Sequence, residues 1–338
     1  VQLDLSGIGA SVRKEILQRA SQMQKDGAVR HIWNRTGYWQ QLEEDNPRLG
    51  WLRLPDEMLE YIEMFYAFRK NLLDRGITAV VICGMGGASQ GIFTYQGVFG
   101  QDKRITVYVL NTSHPQAIEQ IEKKLDLAKT VFIFSSKAGG AKEPKTAIDY
   151  FAAKYNMTER AGHFAAITDL GFPLAETAQK EGWTILPSRP DVGGRFSALS
   201  TEMLAAAALM GVDLKKLLTQ SQRMAFRCRD FVPAEQNPGL ILGVLLDQLR
   251  RKGRTHATIL ADSALTGLSG WFEQLLAESL GKDTQGILPI VNEPLSKQTS
   301  AYHDQRYIIY FSHSQDQPTL SALKRFKQAG VPIIKIHL

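Results

Sequence analysis

The sequence predicts an α/β protein with two doubly wound parallel sheets and additional helices. The first observation is an alternation of short apolar runs with amphipathic helical stretches between residues 77 and 186. The second is a smaller alternation of the same kind from about His256 to the end of the chain. Apolar runs without polar alternation are typical of strands that are buried on both faces. A chain of 338 residues, 44% hydrophobic and 22% charged, is long enough for two such domains.

We predict three segments: an N-terminal helical segment (1–55), a first sheet domain (56–212) and a second sheet domain (213–338). The first 76 residues are interpreted as helical and peripheral. A helix is predicted from Asp56 to about Leu73, where large apolar side chains recur at helical spacing. The members of this stripe, interpreted as core packing, are Met58, Tyr61, Ile62, Phe65 and Phe68.

Within the first sheet domain, each predicted strand is a short apolar run. The predicted strands are 78–83, 105–110, 131–134, 164–167 and 183–186, with helices at 115–125 and before Tyr155. A mainly helical section follows from about 196 to 252. The second sheet domain is predicted to contain strands 258–260, 286–291, 306–311 and 331–336, with helices 270–280 and 318–328.

Charge and cysteine content limit the classes of function. The net charge is +6, and no block of lysine or arginine stands out, which favours small anionic substrates over nucleic acid. Cys83 and Cys228 are too few for a disulfide framework and do not form a metal-binding pair. No signal peptide or membrane-spanning run is recognised, so we expect a cytoplasmic protein with no membrane partner. Because the chain starts at Val1, it is also interpreted as a fragment of something longer.

The stretch from Thr130 to Phe151 is the centre of the functional prediction. A buried strand leads into a loop of small residues, Ser136 to Gly140, and then into an amphipathic helix. Such a turn directs unpaired N–H groups and the positive end of a helix dipole at one spot, which can bind an anion. The alternative is a connector that needs only the flexible backbone of glycine. In parallel sheets the strand-end loops share one edge, so this loop and those at Gly84, Asn111 and Thr168 are expected to meet there.

Three stretches together resemble the signatures of phosphoglucose isomerase, a family with two sugar-isomerase (SIS) domains. They are Ser135–Glu143, Asp191–Ser200 and Glu273–Lys282, and the loop Gly84–Gly87 fits as well. The further stretches Asn237–Gly239 and Tyr302–Tyr310 are most similar to the isomerase half of bacterial transaldolase/phosphoglucose isomerase fusion proteins. The resemblance covers roughly residue 30 to the end. It implies two flavodoxin-like SIS-type domains.

The resemblance also implies an activity in glycolysis and gluconeogenesis: interconversion of glucose 6-phosphate and fructose 6-phosphate through an enediol(ate), with no metal or other cofactor. Moving a proton between C1 and C2 needs one carboxylate, and Glu278 matches that family position. The alternative is an exposed ion pair between Glu278 and Lys282. Arg195 matches the family arginine that stabilises the enediolate, and its alternative is an ordinary salt bridge at a helix start.

Ring opening in the family uses a histidine from the neighbouring subunit. The usual glutamine–histidine segment is not recognised after Pro289, and His303 is the nearest candidate by position. The alternative interpretation of His303 is a polar loop residue that is exposed to solvent. The family lysine beyond the last strand has no counterpart before Leu338, so either that segment was removed or another group substitutes.

Substrate contacts are expected from both glycine loops and from the two helices that carry family motifs. The expected substrate-binding residues are Gly86, Gly87, Ser89, Ser136, Lys137, Gly139, Thr146 and Lys282. The family has hydroxyl side chains at positions occupied here by Ala88, Ala138, Gly140 and Ala141. Losing three hydrogen bonds to a charged group (at Ala88, Ala138 and Ala141) costs about 4–9 kcal/mol at about 1.5–3 kcal/mol each. The anionic group of the substrate could therefore differ from phosphate.

Two alternative functions stay open at this point. One is isomerisation of a related sugar with a different anionic group on C6, such as a sulfonate. The other is a non-catalytic SIS protein that binds a sugar phosphate. The expected partners are the sugar phosphate, a second copy of the chain that completes the crevice, and a fused transaldolase domain outside this chain. No nucleic-acid partner is expected. Which sugar is turned over, which group opens the ring, and the oligomeric state are left open by the sequence.

Overall fold

The fold is described from a computed structural model, which defines residues 1–45, 48–137, 142–282, 285–302, 304–313 and 317–338. Two predicted site residues, Gly139 and His303, lie outside these ranges, as do Ala138, Gly140 and Ala141. The strands are β1 (Gln2–Gly7), β2 (Ala79–Cys83), β3 (Thr106–Leu110), β4 (Thr130–Ser135), β5 (Phe164–Thr168), β6 (Thr184–Pro187), β7 (His256–Ala261), β8 (Leu288–Val291), β9 (Arg306–Ser312) and β10 (Ile333–His337).

The helices connect these strands and cover the faces of the sheets. They are α1 (Ala10–Lys25), α2 (Ala28–Asn34), α3 (Tyr38–Asp45), α4 (Leu54–Glu57), α5 (Ile62–Asp74), α6 (Gly87–Phe99), α7 (Pro115–Glu122), α8 (Lys142–Ala152), α9 (Met157–His163), α10 (Pro173–Lys180), α11 (Thr201–Leu209), α12 (Leu214–Arg227), α13 (Pro238–Arg251), α14 (Thr266–Leu280) and α15 (Gln317–Gln328). Short 3-10 helices occur at 50–52, 58–61, 127–129, 194–199, 234–236, 263–265 and 299–302. Within the described ranges, no helix has the length and apolar character needed to cross a membrane.

The chain divides into two compact units. The central unit contains residues 46–221, and the terminal unit combines residues 1–45 with residues 222–338. The first 45 residues thus pack with the C-terminal part of the chain. The domain boundaries suggested by the sequence, after residues 55 and 212, stay predictions.

The sheet of the central unit has the order β3-β2-β4-β5-β6, and every neighbouring pair is parallel. This is the flavodoxin-like order, in which helices must cover both faces. On one face, Val80 and Ile82 pack with helices α5, α6 and α11. On the other face, Phe132 and Phe134 pack with α7, α8 and α10. The predicted buried parallel sheet is confirmed.

The sheet of the terminal unit has the order β1-β10-β9-β7-β8. Its last four strands are parallel and repeat the same doubly wound pattern, which confirms the second predicted sheet. Strand β1 is antiparallel to β10, and Leu3 pairs with Ile336. The prediction of a helical N-terminal segment is therefore wrong for residues 2–7. The physical reason is the period-two alternation of Leu3 and Leu5 with polar neighbours, which suits a half-buried edge strand.

The helix predicted from Asp56 to Leu73 is interrupted. The helix α4 is followed by a 3-10 turn at Met58–Tyr61 and then by α5. Met58, Ile62, Phe65 and Phe68 are buried in the core as predicted. Tyr61 is 42% exposed, so its predicted place in the core stripe is wrong. The tighter 3-10 turn rotates this residue away from the α-helical stripe.

Candidate active site

The strand-end loops of the central unit lie along one edge of its sheet. Cys83, at the end of β2, pairs with Phe134 of β4, and Ser135 pairs with Ile167 of β5. Because these strands are parallel, the loops that follow them must emerge at the same edge. The ends of β2, β4 and β5 thus share one edge of the sheet as predicted, and the structure describes the loop after β4 as far as Lys137.

The first glycine loop is in direct backbone contact with the segment that carries Arg195. A Cβ atom added to Gly87 would lie 2.6 Å from the Arg195 nitrogen and closer still to the Gly194 carbonyl. The Ser197 hydroxyl donates to the Gly194 carbonyl oxygen at 2.6 Å. Glycine at position 87 therefore permits an approach that a side chain would block. The predicted residues Gly86, Gly87 and Arg195 are thus brought together.

Aromatic packing supports the Arg195 segment. The Arg195 guanidinium lies 5.4 Å from the centre of the Phe196 ring. The Phe196 ring stacks on Trp51, with ring centres 5.5 Å apart and an interplanar angle of 16°. Both rings belong to the central unit, so its packing holds the backbone of the arginine beside the glycine loop.

Ser89 has a structural position in this loop. Its side chain is fully buried, and its hydroxyl donates to the Gly86 carbonyl oxygen at 3.0 Å. Gly86 has a φ of +57°, which favours glycine, and is the residue before α6. The Ser89 hydroxyl thus stabilises the turn, and its predicted substrate contact stays a prediction.

The Lys137 ammonium group lies in a polar cluster at the sheet edge. Its Nζ atom is 2.9 Å from the Ser188 hydroxyl, 3.3 Å from Asp169 Oδ1 and 3.8 Å from Glu202 Oε1. It also donates to the Arg189 carbonyl oxygen. The Ser188 hydroxyl is 2.7 Å from Asp169 and 2.9 Å from Glu202. Both carboxylates are buried, so the ammonium offsets part of their charge.

Sequence reasoning missed this cluster. Asp169 comes directly after Thr168, whose loop was predicted to lie at the shared edge, but no sequence motif identified Asp169, Ser188 or Glu202 as partners of Lys137. The backbone around Lys137 is fixed as well, since its carbonyl accepts from the Thr168 hydroxyl at 3.0 Å and from the Asp169 N–H at 3.1 Å. We infer that Lys137 anchors the loop after β4 to the ends of β5 and β6. Its predicted contact with substrate stays a prediction.

The loop of small residues from Ser136 to Gly140 is called the anion loop below. Ser136 and Thr146, the other residues predicted to bind the anion there, are held by local hydrogen bonds. The Ser136 backbone N–H donates to the Ile167 carbonyl at 3.0 Å, which continues the strand pairing by one residue. Thr146 is exposed, and its hydroxyl donates to the Lys142 carbonyl at 2.9 Å within α8. Since α8 begins at Lys142, directly after the loop, its N-terminal N–H groups lie at this edge of the sheet.

Glu278 and Lys282 belong to the terminal unit. Glu278 is exposed in the last turn of α14, and Gln274 Nε2 donates to its Oε1 at 3.2 Å. Lys282 is exposed just beyond the helix and forms a β-bridge with Gln285. A Cβ atom on Gly281 would clash with the Ala277 carbonyl, so glycine is needed where the helix ends. The motif therefore presents its carboxylate at the surface of this unit.

A sequence model of the phosphoglucose isomerase family matches residues 24–294. The chain belongs to the phosphoglucose isomerase family. The matched range contains every predicted site residue except His303, which lies beyond its end. The glycine loop at Gly86, the Arg195 segment and the Glu278 helix all lie within the matched range.

Curated proteins of similar sequence are described as glucose-6-phosphate isomerases, in agreement with the family match. A probable glucose-6-phosphate isomerase of Haloquadratum walsbyi is 31% identical over 218 residues, which are 63% of this chain and 50% of that protein. A glucose-6-phosphate isomerase of Methanocaldococcus jannaschii is 29% identical over 221 residues, 64% of this chain and 54% of that protein. The chain thus spans about half the length of the curated relatives it matches.

Solved structures share the fold of this phosphoglucose isomerase family member. A hypothetical protein from Thermus thermophilus matches with a TM-score of 0.84 and 22% identity, covering 100% of this chain and 88% of that chain. A glucose-6-phosphate isomerase from Chlamydia trachomatis matches with a TM-score of 0.68 and 16% identity, covering 82% and 63%. At these identities, the likeness supports the architecture alone.

Proposed function

We propose that the protein is an aldose–ketose isomerase that interconverts glucose 6-phosphate and fructose 6-phosphate. Family membership supports this proposal, because the curated relatives are described as glucose-6-phosphate isomerases. The single observation that carries it is the contact of Gly87 with the Gly194–Arg195 backbone, which joins two family motifs at one sheet edge.

The proposed mechanism assigns one task to each group. Glu278 removes the proton from C2 of the open-chain aldose, the electron pair forms the C1–C2 double bond, and the carbonyl electrons move to O1, which gives an enediolate. The same carboxyl group returns its proton to C1 while the O2 hydroxyl proton passes to O1 and the C2 carbonyl forms, which yields the ketose. Arg195 stabilises the negative oxygen of the enediolate between these steps. The N–H groups at the start of α8 bind the phosphate.

Ring opening is assigned to His303, supplied by the neighbouring subunit of a homodimer. This assignment rests on the position of the histidine in the sequence.

We further propose that each unit is an SIS domain and that the chain corresponds to the isomerase half of a transaldolase/phosphoglucose isomerase fusion protein. A cytoplasmic location belongs to the same proposal. Light scattering coupled to size-exclusion chromatography would measure the dimer directly, and a monomer at working concentration would contradict it.

A second candidate substrate is an aldose with a sulfonate on C6. The observation that favours it is the Lys137 ammonium, which lies among Asp169, Ser188 and Glu202. The Lys137 ammonium is thus engaged by protein groups, and Ala138 in the anion loop and Ala141 next to it have no hydroxyl group. Recognition of the substrate anion is therefore left mainly to backbone N–H groups, which bind phosphate and sulfonate alike. A thermal-shift comparison of glucose 6-phosphate with 6-deoxy-6-sulfoglucose separates the candidates. A clear preference for the phosphate excludes the sulfonate.

The primary test is a coupled assay of the intact protein, in which fructose 6-phosphate formed from glucose 6-phosphate is measured by a linked enzyme. We expect turnover that rises in proportion to protein concentration. Binding of glucose 6-phosphate in calorimetry without turnover would contradict the isomerase and favour a non-catalytic sugar-phosphate-binding protein.

A further inference from the structure

A closed ring of four charged side chains lies next to the Arg195 segment. Its members, called the charge ring below, are Arg53, Glu57, Arg189 and Asp191. The Arg189 guanidinium donates two hydrogen bonds to the Asp191 carboxylate, each 3.0 Å long, and its Nη1 lies 2.5 Å from Glu57 Oε2. Arg53 lies 3.0 Å from Glu57 Oε1 and 3.5 Å from Asp191 Oδ2. Each cation of the ring therefore contacts both carboxylates.

The Arg189–Asp191 pair is the more strongly held side of the charge ring. The two side chains are 21% and 22% exposed, and their contact is a two-bond fork, which is stronger and more directional than a single contact. Burial raises the pKa of the Asp191 carboxyl, but the hydrogen bonds from Arg189 and the charges of Arg189 and Arg53 outweigh burial and lower the pKa. The folded protein thus favours the charged form of this carboxylate.

The backbone next to the charge ring is fixed as well. The Gly50 N–H donates to the Asp191 carbonyl oxygen at 2.9 Å, and a Cβ atom on Gly50 would clash with the Asp191 carboxylate. Glycine at position 50 therefore lets the carboxylate lie directly against this turn. The Arg189 carbonyl oxygen accepts a hydrogen bond from the Lys137 ammonium. Arg189 is thus held through both its backbone and its side chain.

The chain between the charge ring and Arg195 contains two glycines. Gly193 and Gly194 give this stretch more backbone freedom than other residues would, so the direction of the Arg195 side chain depends on how the two ends are held. At one end, the glycine loop at Gly87 contacts the Gly194–Arg195 backbone. At the other end, the charge ring holds Asp191.

We propose that Arg189 is a positioning residue, which directs the Arg195 guanidinium at the enediolate oxygen by fixing Asp191 against Glu57. Arg189 does not contact the sugar in this proposal, which rests on the role proposed for Arg195 in the isomerase. Its loss affects the chemical step, because Arg195 stabilises a charge that exists only after the proton has left the sugar. An arginine suits this position because its flat fork can bond two carboxylates at once, which the ammonium of a lysine cannot do.

The kinetic test compares Arg189→Gln with the wild type in the coupled assay of fructose 6-phosphate formation. We expect kcat to fall about 100-fold, as a displacement of about 1 Å in an active site can cause, while KM changes less than about threefold. Arg189→Lys keeps the charge and should retain more activity than Arg189→Gln. Arg160→Gln is the matched control, because Arg160 is also 21% exposed, belongs to the same unit and pairs with Glu181 at 3.5 Å. It should keep the wild-type kcat.

A second measurement does not need turnover. NMR relaxation of the Arg195 Nε–H group reports how rigidly this side chain is held, and Arg195→Lys identifies the signal by removing it. We expect an ordered signal in the wild type and in Arg160→Gln, and clearly greater motion in Arg189→Gln. If Arg189→Gln does not fold, Glu57→Gln removes one carboxylate of the charge ring and should show the same increase in motion.

The two measurements separate this proposal from the proposed isomerase. An unchanged kcat in Arg189→Gln, or an Arg195 signal as ordered there as in the wild type, overturns the positioning role. Equal losses in Arg160→Gln also overturn it, because they show a general loss of stability. A wild type that does not convert glucose 6-phosphate contradicts the isomerase, and the NMR comparison then still decides whether Arg189 fixes Arg195.

Discussion

Because Gly87 has no side chain, the two family motifs of the central unit can lie in direct backbone contact. In Gly87→Ala, the new methyl group would lie 2.6 Å from the Arg195 nitrogen, against backbone that cannot rotate away. We expect a loss of about 1–3 kcal/mol in the free energy of unfolding, measured with urea. Gly194→Ala is the control, because a Cβ atom there has no neighbour within 4 Å. Equal stability of the two variants would refute the close contact.

Lys137 provides a second test at the residue scale. Lys137→Met would leave Asp169 and Glu202 buried without their cation, and we expect a loss of about 3–5 kcal/mol in unfolding free energy. Lys145→Met is the matched control, since Lys145 and Asp149 form an exposed pair that contributes little. Urea unfolding of both variants measures the difference. If Lys137→Met is as stable as the control, Lys137 does not anchor the loop.

At the scale of elements, Asp102 joins α5 to the segment between α6 and β3. Burial raises the pKa of this carboxyl, but hydrogen bonds from the Arg104 backbone and from the Arg104 and Arg69 side chains outweigh burial and lower the pKa to about 2. A folded-state pKa below the unfolded value contributes stability above the unfolded pKa, near 3.9, and loses it as the pH falls towards the folded value.

We therefore expect the Asp102 contribution, about 2 kcal/mol at neutral pH, to disappear between about pH 4 and pH 2. The measurement is the difference in unfolding free energy between the wild type and Asp102→Asn across this range. Asp74→Asn, which breaks an exposed pair with Lys70, serves as the control. A difference that is constant down to pH 2 would show that Asp102 keeps the same pKa in the folded and unfolded states.

The sequence predicted most elements because buried strands and helical stripes leave local patterns. The strand after Thr78 and the helix before Leu280 were placed to within a few residues. Strand β1 was missed because a six-residue alternation is ambiguous and its partner, β10, lies more than 300 residues away. The interruption at Met58–Tyr61 was missed because a 3-10 turn keeps apolar residues at nearly helical spacing.

Candidate site residues that belong to one continuous motif could be predicted from the sequence. Residues that fold together from separate segments could not. The glycine loop and Arg195 were found from their motifs, and the structure adds their backbone contact. The partners of Lys137 were missed because Asp169, Ser188 and Glu202 come from three separate segments. Only the parallel order of β4, β5 and β6 brings those segments to one edge.

At the scale of the whole molecule, two doubly wound units divide the proposed chemistry. The central unit carries the glycine loop, the anion loop and Arg195, whereas the terminal unit carries Glu278. In the proposed isomerase, Glu278, an exposed glutamate of the terminal unit, transfers the proton of the sugar.

The most direct test follows deuterium incorporation into fructose 6-phosphate in heavy water by proton NMR. The wild type should exchange the mobile C1 proton during isomerisation, because the carboxyl group that carries it equilibrates with solvent. Glu278→Gln should lower exchange and isomerisation together by a factor of at least about 100, the usual contribution of a general base. Glu273→Gln, five residues earlier on α14, should exchange like the wild type. Unchanged exchange in Glu278→Gln would contradict the account.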